Sequence, residues 1–348
     1  MNAYAVIMAG GGGERLWPVS TPELPKQFVD VFGGKPLIRH ALDRLHGLIP
    51  PERTLVVTGA RLVALTRRAL PELPSENIVG EPCRRDTAAA VAVACGLVRR
   101  LGGPDAVGCI LTADHIMTPH SAFRAALRDA ISAAAKFDSI VTMGIVPDHP
   151  ATGYGYIECG KRVDSGTKTA FFDVKRFVEK PDERTARRYL KTGRFRWNAG
   201  MFIWRAGVLS AAFADAAPDF SPLIDSVATA KSVPALLRRA YPSLRAISVD
   251  FAVMEHAKSI LVAESRFKWD DVGSWQSVPN HFPSDADGNV RLGKTALLDT
   301  RGSVIVSTDD HLTAVVGLSD VVVVHTRSAT LVCPRDRAQD VKKLVKSL

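Results

Sequence analysis

The chain has 348 residues, 46% of them hydrophobic, and a formal net charge of +9. That length calls for one large α/β domain plus a smaller appendage, and the apolar fraction suffices for a proper core. The absence of any run of about 18 apolar residues argues against a membrane span.

No basic start followed by an apolar stretch and a cleavage site marks a signal peptide. The cysteines (Cys83, Cys95, Cys109, Cys159 and Cys333) stand singly and are odd in number. This argues against a disulfide framework and for reduced thiols in a cytoplasm. Lys and Arg come mostly singly or in pairs such as Arg67-Arg68 and Lys342-Lys343. Nucleic-acid binders concentrate such charge in runs. The basic excess therefore reads first as a solvated surface and next as attraction for a small anionic substrate.

In chain order, Ala3–Ala9, Leu55–Thr58, Val107–Leu111 and Ile140–Met143 read as buried strands. Between them Pro36–His46, Arg61–Leu70, Thr87–Leu101 and Ser121–Lys136 read as helices. This alternation predicts a parallel sheet with crossover helices and ligands at the carboxyl ends of the strands. From about Tyr154 longer strands take over, at Tyr154–Cys159, Phe171–Val178 and Ala199–Trp204. They predict an antiparallel extension covering the sheet edge. A turn-rich linker, Pro283–Asn289, leads to short β-type runs at Thr295–Leu298, Val304–Val306, Ala314–Val316, Val321–Val324 and Thr330–Val332. Their spacing predicts a small, solenoid-like β module. Asp336–Leu348 reads as a basic terminal helix.

The first strand runs into four consecutive glycines, Gly10 to Gly13, followed by Glu14 and Arg15. The P-loop pattern fails, because Glu14 and not Lys follows Gly13. The dinucleotide fingerprint also fails, because Leu16 occupies the place of its third glycine. What remains is a loop of exposed amides able to converge on phosphate oxygens or a base. Arg15 can clamp phosphate with two donors, and Lys26 in "LPKQF" adds a point charge. The alternative is a tight turn after a strand.

Asp114, in "LTADHIM", ends an apolar strand, the usual address of a metal-binding aspartate or of a helix cap. "WDDVGSW" offers Asp270 and Asp271 as partners, or as surface loop charge. In "EPCRRDTAAAVAVA", Asp86 or Thr87 caps an alanine-rich helix, and Arg84 and Arg85 are placed to touch a base or phosphate. In "FVEKPD", Glu179 suits sugar hydroxyls and Lys180 a sugar phosphate, the two pointing to opposite faces if the strand persists to Pro181. In "WNAGMFIWR", Asn198 suits a sugar and Gly200 permits its approach. Each of these motifs also has a purely structural reading.

Taken in order, "MAGGGGERLWPVS", "LPKQF", "EPCRRDTAAA", "TADHIM", "TGYGYIE", "FVEKPD", "WNAGMFIW", "VDFAVMEHA" and "KWDDVGSW" resemble the bacterial mannose-1-phosphate guanylyltransferases, also called GDP-mannose pyrophosphorylases, in their short monofunctional form. The resemblance covers nearly the whole chain. It implies a Rossmann-like mixed-sheet nucleotidyltransferase domain, residues 1–282. A small C-terminal β-rich domain of left-handed β-helix type, residues 283–348, would follow and end in a helix. It implies transfer of GMP from GTP to mannose 1-phosphate in a cytoplasmic homodimer, with neither nucleic acid nor membrane as partner.

By the same resemblance Ala9, Gly10, Gly11 and Gly13 belong to the nucleotide loop, and Arg15 and Lys26 engage the triphosphate. Asp114 and Asp271 would hold Mg²⁺. Glu81, Pro82, Arg85 and Thr87 line the base site. Gly153, Glu179, Asn198 and Gly200 contact the sugar, and Lys180 the sugar phosphate. Rivals are a transferase for another sugar 1-phosphate or nucleotide, a non-catalytic regulator that binds nucleotide-sugars, and, from charge alone, a nucleic-acid binder. The chain departs from the family pattern at Thr112, where proline is common, and at Ala89 in "TAAA", where many relatives have "TAPA". It departs again at His325 and Arg327, where acids are common, and its length leaves no room for the isomerase domain of bifunctional relatives.

Overall fold

A computed structural model describes residues 2–348. The chain forms two compact units that do not follow its order. The first contains the chain up to Gly10, Leu42–Thr112 and Met117–Trp269. The second contains Gly11–Ala41, Ala113–Ile116 and Asp270–Leu348. No helix among the described residues is long and apolar enough to cross a membrane.

Elements occur in the order β1 (Ala3–Ala9), α1 (Leu37–Asp43), β2 (Thr54–Gly59), α2 (Val63–Ala69), β3 (Ile78–Glu81), α3 (Asp86–Gly102), β4 (Val107–Thr112), β5 (Ile116–Thr118), α4 (His120–Lys136) and β6 (Ile140–Ile145). Then come β7 (Tyr156–Val163), β8 (Phe171–Val178), α5 (Glu183–Thr192), β9 (Phe195–Arg205), α6 (Ala206–Ala216), α7 (Ser221–Thr229), α8 (Val233–Ala240), β10 (Ile260–Ser265) and β11 (Lys268–Asp270).

The first unit is built on a nine-stranded sheet of order β3-β2-β1-β4-β9-β6-β10-β8-β7. Strands β3, β2, β1 and β4 are parallel. With helices on their faces they are buried over most of their length, which is why they read as apolar runs. The seventeen-residue helix α3 buries every residue from Ala88 to Val98. Its alanines let sheet and neighbouring helices approach closely.

Two expectations are corrected here. β9 does not cover an edge: it lies inside the sheet, antiparallel to both β4 and β6. The edge is the β7–β8 hairpin. The segment after Tyr154 is also richer in helix than its sequence suggests, with α5 to α8 between residues 183 and 240. Asp182 caps α5 by accepting from Thr185 N at 2.7 Å, and proline occupies the first turn of α7 and α8.

In the second unit β12 (Val290–Leu292), β14 (Val304–Ser307) and β16 (Val321–His325) stack in parallel, with β13 (Thr295–Leu298) on β15 (Thr313–Val316) as a second face. β17 (Thr330–Pro334) closes the stack antiparallel to β16. Val290, Val304 and Val322 fall in one register column, as Leu292, Val306 and Val324 do. That column forms a β-helix-like core. The expected long terminal helix is instead a 3₁₀ segment, Arg335–Asp340, and the short α9 (Val341–Val345). Leu16, Phe32, Leu37, Val272, Trp275 and Val278 share this core with the β-helix valines. The loops bearing Arg15 and Asp271 are therefore braced by the C-terminal strands.

Candidate active site

Three groups of expected residues come together, one in the second unit and two in the first. In the second unit Lys26 is buried, with its ammonium 3.1 Å from Asp114 Oδ2, and it also donates to the Asp271 carbonyl. Gly13 makes this possible. Its φ is +65°, and a Cβ there would lie 2.1 Å from Lys26 Cβ. Glycine at 13 thus serves close packing of the chain on itself. Gly11 has open space where its Cβ would be, and is exposed. Arg15 is an exposed guanidinium in a single 3₁₀ turn.

Burial alone would raise the Asp114 carboxyl, but the Lys26 and His115 charges and the Lys26 hydrogen bond outweigh it and hold the carboxyl low. Asp271 is pushed up by burial, with Lys26 opposing and Asp270 and Asp114 adding to the rise. Asp270 and Asp271 are resolved by their partners. Asp270 accepts from Val272 N at 2.6 Å, Asn280 Nδ2 at 2.9 Å and His281 at 3.1 Å. Asp270 is thus spent on holding the loop, while the Asp271 carboxyl is held by the backbone of Gly273.

The residues fit a hard divalent cation of the Mg²⁺ type. Among the described residues no group of three or more metal-ligating side chains gathers, so an all-protein cage is absent. Two carboxylates, with substrate phosphates and water completing the shell, is the usual Mg²⁺ arrangement.

In the first unit Glu81 ends β3, and one carboxylate oxygen lies 3.4 Å from where a Gly10 Cβ would stand. Its other oxygen accepts from the Tyr241 hydroxyl. Burial raises the Glu81 carboxyl, with the Tyr241 hydrogen bond opposing. Ala9 is buried, and its carbonyl accepts from Thr58 Oγ1 at 2.9 Å. Pro82 is half-buried beside Glu81. Arg85 is half-buried and donates to the Pro242 carbonyl at 3.2 Å. The Thr87 hydroxyl accepts from Val249 N at 2.8 Å. It does not cap α3; Thr87 N instead donates to Asp86 Oδ1 at 2.7 Å.

Of the third group Glu179 and Asn198, but not Gly153, Lys180 or Gly200, line a pocket of about 170 Å³ with walls that also include Gly155, Asp250, Phe251 and Glu255. That volume is below the roughly 300–1,000 Å³ of drug-sized sites, and suits one monosaccharide better than a nucleotide. Asn198 donates to Asp250 at 3.1 Å and accepts from Gly200 N at 3.0 Å. Gly200, at φ +65°, orients Asn198 from within the strand. Gly153 is exposed and has open space around it.

The expected opposite placement of Glu179 and Lys180 is corrected. The strand ends at Val178, Lys180 takes φ +35°, and the two side chains pair at 2.5 Å. Asp250, Phe251 and Glu255 in the pocket wall and Tyr241 on Glu81 carry no site role in the sequence motifs. The available signal was the acid inside the otherwise apolar stretch "VDFAVM". A larger cavity of about 390 Å³ lies against Asp105, Asp138, Arg205, Asp215 and Lys258. Its charges pair with one another, Arg205 with both Asp105 and Asp138, and Lys258 with Asp215 at 2.7 Å.

A glycine-rich turn after the first strand of a mixed α/β sheet and a buried lysine paired with an aspartate are the features that the comparisons with known proteins place in a class. The chain belongs to the nucleotidyl transferase family, whose model matches residues 4–288. A second model, that of the MannoseP isomerase/GMP-like β-helix domain, matches residues 293–348.

Among curated relatives, the chain is 38% identical to a mannose-1-phosphate guanylyltransferase of Escherichia coli, over 99% of this chain and 73% of the relative. It is 36% identical to mannose-1-phosphate guanylyltransferase 2 of Escherichia coli O157:H7, over the same shares. A solved structure from Thermus thermophilus, described as a mannose-1-phosphate geranyltransferase, matches with a TM-score of 0.90 and 35% identity, over 100% of this chain and 99% of that one. Within the nucleotidyl transferases, the mannose-1-phosphate guanylyltransferases are thus the branch to which this chain is similar along its whole length.

Proposed function

We propose that the chain transfers GMP from GTP to α-D-mannose 1-phosphate, giving GDP-mannose and pyrophosphate. A sugar-phosphate oxygen attacks the α-phosphorus, the bond from that phosphorus to the β-bridging oxygen breaks, and pyrophosphate leaves. The nucleophile is already an anion, so no general base is required. The obstacle is repulsion between two anions, and positioning with charge neutralisation answers it. The observation that carries the reading is Lys26, a buried ammonium held between Asp114 and Asp271.

Asp114 and Asp271 are the residues to hold Mg²⁺, which when bound supplies Lewis-acid neutralisation of phosphate charge. Lys26 ties the Asp114 carboxylate to the backbone of Asp271, and with Arg15 takes up negative charge on the leaving pyrophosphate. Glu81 offers only acceptors, which complement the adjacent N–H donors on the Watson–Crick edge of guanine. Tyr241 fixes its orientation. Glu179, Asn198 and Asp250 accept from sugar hydroxyls, and Lys180 pairs with the sugar phosphate in place of Glu179.

Residues 1–282 form the catalytic domain in this proposal and residues 283–348 the β-rich domain. A homodimer belongs to it as well, supported by the outward face of β13–β15, where exposed Leu298 stands in register with exposed Val316. A cytoplasmic location is supported by five free cysteines. The test is turnover of GTP labelled at the α-phosphorus. Label should appear in the nucleotide sugar and none in pyrophosphate; label in pyrophosphate, or no transfer, contradicts the proposal.

A further inference from the structure

Thr87 stands at the start of α3, beside the recess of Glu81, yet its hydroxyl is already committed within the fold. It accepts from Val249 N at 2.8 Å, and the neighbouring Ala88 N donates to the Ile247 carbonyl at 3.1 Å. These two bonds dock residues 247–249 on the first turn of α3. The very next residue, Asp250, opens a five-residue π-helical turn, closed by Glu255 N donating to the Asp250 carbonyl at 2.9 Å. That turn places Asp250, Phe251 and Glu255 in the wall of the 170 Å³ pocket.

Asp250 is held there by Asn198, with burial and the nearby Glu179 and Glu255 raising its carboxyl. At its other end the same stretch touches the base recess, through Tyr241 on Glu81 and Pro242 on Arg85.

We propose that Thr87 is a positioning residue for the sugar pocket: through Val249 it fixes Asp250, and it does not contact the nucleotide. The proposal rests on the reading of this pocket as the sugar site. A threonine at a helix start would ordinarily spend its oxygen on the helix's own amides. Here the oxygen is spent on a strand of chain 162 residues away. Deleting it leaves the part-buried Val249 amide without its partner in the fold, and a donor left without its partner favours a shift of the segment that carries it. If the π-helical turn shifts in this way, Asp250 moves with it.

Pyrophosphate release is measured with GTP and mannose 1-phosphate varied separately. Thr87→Val is expected to raise the apparent KM for mannose 1-phosphate about tenfold, with the KM for GTP unchanged. Thr87→Ser, which keeps the acceptor, restores the wild-type value. Thr87→Ala, which deletes the acceptor without adding a methyl group, must move the same constant. Thr87 is exposed, so both deletions are expected to fold. A rise in the GTP KM alone, or failure of serine to rescue, overturns the proposal. Asp250→Asn separates the two layers. If it leaves the mannose 1-phosphate KM unchanged, the sugar-site reading fails. If it raises that KM while Thr87→Val does not, the positioning role alone fails.

Discussion

Gly13→Ala and Gly11→Ala should fail in different ways, because the two glycines are required by different things. At 13 the requirement is internal. The backbone sits at φ +65°, which costs a side chain roughly 1–2 kcal/mol. The new Cβ would be 2.1 Å from Lys26 Cβ, whereas carbon atoms rest at about 3.5–4.0 Å. The two segments must therefore part by about 1.5 Å, an overpacking cost of typically 1–3 kcal/mol. Together these predict a loss of about 2–5 kcal/mol in the second unit.

The same displacement carries Lys26 Nζ, now 3.1 Å from Asp114, beyond hydrogen-bonding reach. A misplacement of about 1 Å at a reacting centre can cost 10²-fold, so kcat should fall by about that factor. At 11 no protein atom lies within 4 Å of the added Cβ. Gly11→Ala should melt like the wild type and raise only the KM for GTP, through obstruction of the approaching nucleotide. The assays are a thermal melt and steady-state pyrophosphate release. A Gly13→Ala protein with wild-type melting and kcat would refute the reasoning, as would a Gly11→Ala protein that is destabilised without ligand.

Glu81→Gln should raise the KM for GTP and relax discrimination against ATP, measured as the ratio of the two kcat/KM values. The Glu81 carboxyl is raised by burial, against the Tyr241 hydrogen bond. The acceptor form is therefore present above that raised pKa and lost as pH falls through it. The GTP KM should climb on that acid limb, above the ordinary Glu value of about 4.3. In Glu81→Gln the limb should vanish. Leu298→Asp with Val316→Asp places charges on the outward β13–β15 face and should turn the proposed homodimer into monomer by sedimentation, with the melting temperature retained.

What the sequence revealed was whatever local chemistry determines. β1 could be bounded because an apolar run buried on both faces ends at glycines, and α3 because alanine and valine repeat without interruption. Long-range pairing left no local mark. Nothing in "FRWNAGMFIWR" tells that β9 inserts between β4 and β6 and not at an edge. Asp270 and Asp271 are interchangeable on paper, and the choice is made by Asn280 and His281, which bind Asp270. Thr87 reads as a cap from its place at a helix start and as a base-site residue only from the family resemblance, while its partner Val249 lies 162 residues on. Glu179 and Lys180 were read by strand alternation, which stops at Val178.

The central claim is tested most directly by pyrophosphate release with Mg²⁺ over ATP, CTP, GTP and UTP, each against the 1-phosphates of mannose, glucose, galactose and fucose. The account predicts turnover confined to GTP with mannose 1-phosphate. Turnover with a different pair would contradict the assigned base and sugar recognition. Folded protein that binds Mg²⁺·GTP but turns over no pair would contradict catalysis itself and leave a nucleotide-binding regulator.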